Sequence, residues 1–388
     1  MTIVAGSGLV APEGAVDRPG WVEFDGPEIS AVGTGTRPGA DTLDGAVLVP
    51  GFVDLQVNGV GAIDFARADR VAWRSALAAL ARHGVTGCYP TLVSAPLDSY
   101  GAPLAVAAEI AAAEPDPDGR DTNEVAGAGI GATLLGVHLE GPFLGGAPGA
   151  HVIEYLRPVD RAWLRALLDR RRGLVRIVTL APEADPGFAG TRMLAEAGVV
   201  VAIGHSTATY DEARSAADAG ATLVTHLFNG MGPFNHRAPG LVGAALDDVR
   251  LTPSLIADLV HVHPAALRLA IGAKRSVVLV TDAVAAGAGT AGDVLMEERD
   301  GAARLADGTL AGSIVTMDRA VRNVVDLGFP LERAVEIAST VPCEVLGLTD
   351  RGRLLAGRRA DVVALDRTTL EVRAVWVGGR RVELAGRS

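Results

Sequence analysis

A chain of 388 residues is long for one compact domain, and its 49% hydrophobic but only 4% aromatic content points to small side chains packed between layers. The formal net charge of −11 argues against nucleic acid as a partner, although it leaves room for an anionic substrate held in a local cationic pocket. Cys88 and Cys343 lie far apart and form no CxxC pair, so they read as buried reduced thiols rather than a disulfide or a metal pair.

The start, Met1-Thr2-Ile3-Val4-Ala5, has no basic stretch followed by an apolar core, so no signal peptide is read there. No apolar stretch reaches the ~18 residues of a membrane span. The expectation is a soluble, cytoplasmic protein. Residues 1–49 read as short strands: Trp21-Val22-Glu23-Phe24 alternates, Gly26-Pro27 breaks, and Ile29-Ser30-Ala31-Val32 follows.

Eight apolar or β-branched runs come next, over residues 53–57, 85–92, 134–139, 175–180, 199–203, 222–227, 253–257 and 277–280. Ala-rich amphipathic stretches at 69–83, 160–172, 187–197 and 210–219 read as helices between them. Strand–helix alternation implies a parallel sheet, and eight units imply an α/β fold of the (β/α)8 TIM-barrel type. Residues 113–131, with Glu114-Pro115-Asp116-Pro117, read as a polar loop between barrel units. The C-terminus returns to strands: Asp361-Val362-Val363-Ala364-Leu365, then 372–377, a Gly378-Gly379 turn and Arg381-Val382. The expected division is a barrel over 50–344 and a small β-sandwich domain from 1–49 and 345–388.

Polar knots follow the apolar runs. They are His138-Leu139-Glu140-Gly141-Pro142, Gly204-His205-Ser206, Thr225-His226-Leu227-Phe228-Asn229 and Thr281-Asp282-Ala283. In a barrel of this type the C-terminal strand ends carry the active site. An isolated histidine on an apolar run is more often a hydrogen-bonded structural residue than a ligand. Glu140, His205 and His226 together, at successive strand ends, reverse that reading. Three protein ligands leave a position for water on one divalent metal, zinc or iron, and bound zinc can lower that water's pKa from 15.7 to about 7. Asp282 is either a structural acceptor or, beside such a metal, the group that moves the proton from the water to a leaving amine.

A second group looks suited to binding. Asn229-Gly230 is followed by Asn235-His236-Arg237 and a Gly-rich run, where Arg237 is either a solvated loop charge or a phosphate fork. His261 ends an apolar run, and His151 follows Pro148-Gly149-Ala150, from which it can polarise a carbonyl. His83 reads as a helix cap, and His263, before Pro264, as a surface residue. The opening Pro50-Gly51-Phe52-Val53-Asp54 is similar to that of many amidohydrolases, whose first strand ends in a His-x-His metal pair. Here Gln56-Val57-Asn58 stands instead, so the second-metal position is lost and a mononuclear site is expected.

These residues resemble the N-acetylglucosamine-6-phosphate deacetylase family of the amidohydrolase superfamily. The resemblance runs from Pro50 to Gly59, through the four knots, to Leu310-Ala311-Gly312-Ser313 and the terminal Gly357-Arg358-Arg359-Ala360-Asp361. It implies hydrolysis of the N-acetyl group of N-acetyl-D-glucosamine 6-phosphate, with Glu140, His205 and His226 as metal ligands and Asp282 as acid/base. It further implies that His151 lies near the acetyl group, that Asn229, Gly230, Arg237 and His261 contact the sugar phosphate, and that Ala311, Gly312, Ser313 and Ile314 form a pocket wall. Members of the family are commonly homodimers, with the phosphate arginine offered across the interface. The chain departs from the pattern in Leu144-Gly145-Gly146-Ala147-Pro148-Gly149-Ala150, where the family loop is usually longer and lysine-rich, and in Val152, where proline is usual. Alternatives are another N-acyl hexosamine phosphate such as the galacto epimer, an N-acyl amino acid, or a non-catalytic scaffold on the same fold.

Overall fold

The computed structural model describes residues 1–11, 14–16, 18–112 and 129–384. Most of the loop expected over 113–131 therefore lies outside the described residues. Eight buried strands, Phe52–Val57, Val85–Leu92, Val137–Glu140, Val175–Leu180, Val200–Ile203, Ala221–Val224, Thr252–Ile256 and Val278–Val280, pair in chain order, each parallel to the last. They form a nearly closed TIM-type barrel. The expected runs fall on these strands because strands covered on both faces carry no polar alternation.

Helix starts obey local chemistry. Asp69 accepts from the Ala72 N–H to open Arg70–Arg82, and Asp160 accepts from Trp163 to open Arg161–Arg170. Thr209 and Glu212 form a reciprocal capping box on Tyr210–Asp218. His83 is the C-cap of the first of these helices and pairs with Asp318 at 3.2 Å. His263 is exposed and caps Pro264–Ala273.

The seam between the last and first barrel strands is closed without a regular ladder. The Asp282 N–H donates to the Gln56 carbonyl at 2.9 Å and the Asn58 N–H to the Ala283 carbonyl at 2.7 Å. Buried Asp54 staples the same seam, accepting from Thr281 Oγ1 at 2.6 Å and from the Thr281 and Gln56 N–H groups, each at 3.2 Å. Burial pushes the Asp54 carboxyl up from 3.8 to about 7. The folded state therefore holds a proton that the unfolded chain releases, so the contribution of this carboxyl to stability is full below about 4 and is lost as pH rises to about 7. We expect Asp54→Asn, which keeps the shape and removes the ionisation, to flatten the dependence of Tm on pH between about 4 and 7. An unchanged slope in thermal unfolding scans would contradict this.

Both termini join one eight-stranded mixed sheet. Its order is Arg380–Arg381, Val372–Val377, Val362–Asp366, Asp41–Pro50, Thr2–Ala11, Gly20–Asp25 and Glu28–Thr34, with Gly14–Val16 paired to Thr2–Ala11. Three strands separate Gly20–Asp25 from Val372–Val377, yet Phe24 and Trp376 meet edge-on at 6.4 Å. The sheet thus folds over itself, and the expected two-layer packing is made by one sheet rather than two. In the buried half of Asp41–Pro50 the faces alternate: Ala46 and Leu48 enter this small core, while Val47 and Val49 enter the barrel core.

After the eighth barrel strand the chain makes two hairpins that no periodicity announced. Thr290–Ala291 pairs with Val294–Leu295, and Glu297–Arg299 with Ala302–Arg304. They share a small core of Val284, Ala291, Met296, Ala303 and Ala311. The first turn is pinned by Arg67 and the Tyr155 hydroxyl on Asp293, at 2.8 and 2.9 Å, and by the Gly292 N–H on Asp64 at 2.7 Å. No helix among the described residues is long and apolar enough to cross a membrane.

Candidate active site

A cavity of about 240 Å³ opens at the C-terminal strand ends, with Asn58, Glu140, His151, Asn229, His261 and Asp282 in its wall. Glu140 ends the third strand, while His205, His226 and Asp282 follow the fifth, sixth and eighth within two residues. His205, His226 and Asp282 have φ of 50°, 31° and 48°, a left-handed conformation that non-glycine residues seldom adopt. Such backbone costs on the order of 1–3 kcal/mol per residue and persists where the surroundings over-determine it. Here it turns each side chain inward off the strand end.

The side chains converge tightly. Glu140 Oε1 lies 3.2 Å from His205 Nε2 and 3.1 Å from His226 Nε2, and the two Nε2 atoms are 3.0 Å apart. The His205 Nδ1–H donates to the Ala147 carbonyl at 3.1 Å, so its Nε2 presents a lone pair to the same point. Burial works against charge on Glu140 and His226 alike, but their mutual pairing prevails, holding Glu140 well below and His226 above the ordinary range. One carboxylate and two imidazoles, all buried and with ligand atoms within 4.8 Å of one another, suit a divalent cation.

Gln56 and Asn58, which stand where a His-x-His pair was looked for, present amide donors. Gln56 Nε2 donates to Glu140 Oε1 at 2.9 Å and to Asp282 Oδ1 at 3.1 Å, and Asn58 Nδ2 donates to Asp282 Oδ1 at 2.8 Å. Donor hydrogens are thus aimed at both carboxylates. Burial, followed by the Glu140 charge, raises Asp282 to about 6.

His151 also joins the group, its Nε2 3.2 Å from His205 Nε2. The Ser94 N–H donates to His151 Nδ1 at 3.4 Å, which places the ring proton on Nε2. Burial and the neighbouring His205 press its pKa down to about 3, so His151 is a neutral N–H donor facing the cavity. His261 is fixed through Asp258, which accepts the ring Nδ1–H at 2.6 Å and the His261 and Val260 N–H groups at 2.9 Å. Its Nε2 is left for the cavity.

The wall expected from Ala311 and Gly312 lines the cavity, as do Asn229 and Gly230. Gly230 has φ 57°, and a Cβ there would come within 2.7 Å of His205 Nδ1, so only glycine lets the loop pass this histidine. Ser313 and Ile314 do not line the cavity. Ser313 is buried and acts on the backbone instead, donating Oγ to the Thr281 carbonyl at 2.5 Å and its N–H to the Asp282 carbonyl at 2.9 Å. Arg237 lies on an exposed loop beside Phe234, outside this cavity wall.

Several supporting residues had no signal in the sequence. Glu183 accepts from Ser206 Oγ at 2.6 Å and from the Thr207 and Gly146 N–H groups at 2.7 and 3.3 Å, bracing the short loop that carries Ala147. His138, visible only as part of the first knot, is buried below the ligand triad. Its Nδ1–H donates to the Leu55 carbonyl at 3.0 Å, while Nε2 accepts from Thr179 Oγ1 at 2.7 Å, which in turn accepts from Thr225 Oγ1 at 2.8 Å. Burial lowers the His138 pKa to about 4, so the ring stays neutral, and the two hydrogen bonds leave neither nitrogen free for a metal.

Strand-end histidines and carboxylates turned into the mouth of a TIM-type barrel define a class, and the sequence agrees: residues 47–382 match the amidohydrolase family, to which this chain belongs. Within that family it is similar to N-acetylglucosamine-6-phosphate deacetylase of Bos taurus, 41% identical over 87% of this chain and 84% of that protein. It is also similar to N-acetylgalactosamine-6-phosphate deacetylase of Escherichia coli O157:H7, 37% identical over 87% of this chain and 88% of that protein. Among solved structures, N-acetyl-D-glucosamine-6-phosphate deacetylase from Mycobacterium smegmatis superposes with a TM-score of 0.87 at 36% identity, covering 99% of this chain and 100% of that one.

Proposed function

We propose that this protein hydrolyses N-acetyl-D-glucosamine 6-phosphate to D-glucosamine 6-phosphate and acetate. The observation that carries the reading is one cavity holding a Glu–His–His donor set, a buried aspartate of raised pKa and a neutral histidine N–H donor, in a chain whose relatives bear that activity in their names. Glu140, His205 and His226 would hold one divalent cation per chain, zinc in our reading with iron as the alternative. Such a cation lowers the pKa of a bound water and polarises an acyl oxygen.

The chain's own residues supply the rest. Asp282 takes the proton from the attacking water and returns it to the amine nitrogen, which leaves only when protonated. The His151 Nε2–H donates to the acetyl oxygen as negative charge develops there. Asn229, Gly230 and His261 hold the sugar phosphate, with Asp258 fixing the His261 ring. Ala311 and Gly312 form the wall beside the sugar.

We assign Arg237 to the phosphate as well. Because it stands outside the cavity of its own chain, we propose a cytoplasmic homodimer in which this loop reaches the partner's site. Replacing Arg237 with alanine should raise KM for phosphorylated substrate roughly tenfold or more and leave the unphosphorylated sugar almost unaffected. Equal losses on both sugars would refute a phosphate role. We also propose a division between a terminal sheet domain (1–49 and 345–388) and the barrel (50–344), supported by the separate small core that residues of both terminal segments form.

The direct test is acetate release from N-acetylglucosamine 6-phosphate by purified protein, with the galacto epimer and the unphosphorylated sugar alongside and metal measured on the same sample. Phosphate-dependent release with the gluco substrate preferred is the expected result. A metal-loaded protein that releases no acetate from any of the three would overturn the reading.

A further inference from the structure

Asn58 stands in the cavity wall with an unused acceptor. Its side chain is buried, only 4% of the residue being exposed, and its backbone is held on both sides. The N–H donates to the Ala283 carbonyl at 2.7 Å, and the carbonyl accepts from the Phe65 N–H at 3.1 Å. Nδ2 donates to Asp282 Oδ1 at 2.8 Å, and no described protein group reaches Oδ1. A carboxylate accepts and does not donate, so the amide nitrogen must face Asp282 and the amide oxygen must face away from it. A buried acceptor without a partner is costly, and such groups in native proteins usually have a functional explanation.

We infer that Asn58 touches the substrate, its Oδ1 accepting the N–H of the scissile amide while its Nδ2 holds Asp282. The inference rests on the amide hydrolysis proposed above and deepens it. Asp282 Oδ1 already receives two donors, Gln56 Nε2 and Asn58 Nδ2, which leaves Oδ2 to carry the proton. Acceptor and donor belong to one planar amide, so a nitrogen whose N–H is held by Oδ1 lies beside the carboxyl that must protonate it. When water has added to the acyl carbon, that nitrogen is pyramidal. Fixing its N–H on Asn58 points its lone pair at Asp282. The proton then passes from Asp282 Oδ2 to nitrogen, and the C–N bond breaks with its electron pair on nitrogen. The water oxygen stays on the acyl carbon as acetate, and the amine leaves. Asn58 thus selects for an amide bearing an N–H, and its chemistry differs from the metal-site remnant that its position in the first strand suggests.

The test compares two substrates on two proteins: the 2-N-acetyl sugar 6-phosphate and its N-methyl-N-acetyl counterpart, whose amine still needs the Asp282 proton but which has no N–H. Asn58→Leu should lower kcat/KM on the N–H amide about 10- to 100-fold more than on the N-methyl amide, at unchanged metal content. Asn58→Ala carries the same comparison without added bulk if the leucine variant does not fold. Equal losses on the two amides in a folded variant would overturn the inference, because a residue that only supports Asp282 or the barrel seam affects both alike. Wild-type protein inactive on the N–H amide would instead sink the proposed function, so the two failures are distinguishable.

Discussion

Replacing Asp282 with asparagine should lower kcat by roughly two to four orders of magnitude while metal content stays at the wild-type level. Asparagine fills the same volume and can accept the Gln56 and Asn58 donors that reach Oδ1 at 3.1 and 2.8 Å. The backbone need not move either: the Asp282 N–H is held by Gln56 and its carbonyl by the Ser313 N–H. The only thing lost is the capacity to take up and release a proton. The Glu140–His205–His226 set does not include Asp282, so it is left intact. KM should change little, since Asp282 acts on the reacting atoms rather than on the sugar phosphate. Steady-state kinetics with metal analysis on the same preparation decides the matter. A variant retaining near wild-type kcat would remove Asp282 from the acid/base role.

His226→Ala should behave in the opposite way, losing metal and activity together. Three protein donors converge within 4.8 Å, and two cannot define the same site. The deletion also strands charge: Glu140 is buried and held well below the ordinary carboxylate range by His205 and His226 against the cost of burial. Without His226 its carboxyl rises and protonates more readily, which weakens it as a ligand. The loss in metal affinity should exceed the about 10- to 100-fold that removal of an outer-sphere partner costs. Metal stoichiometry after dialysis reads it directly. A metal-replete, active His226→Ala would sink the ligand assignment. The pair of variants separates the group that moves the proton from the groups that hold the cation.

The parts of this protein legible in its sequence are those fixed by short-range patterns. Buried parallel strands appear as apolar runs, so residues 175–180 and 85–92 could be read to the residue. Helix starts follow from side chains three positions away, as at Asp69 and Asp160. Glu140, His205, His226 and Asp282 stood out because each is a polar knot closing an apolar run, a pattern that local sequence contains in full. The 10-residue strand Thr2–Ala11 and the hairpins over 290–304 were not marked, for neither carries a run or an alternation strong enough to announce it.

What only the tertiary structure decided is partnership. Asp54 and Thr281 are 227 positions apart, Asn58 and Asp282 are 224 apart, and Asp258 is significant only because the His261 ring turns back onto it. Arg237 left the cavity and Asn58 entered it for the same reason. Residue type and spacing set which groups a strand end can present. Which of them meet depends on barrel closure and loop path, contacts formed across the whole chain that no local window contains.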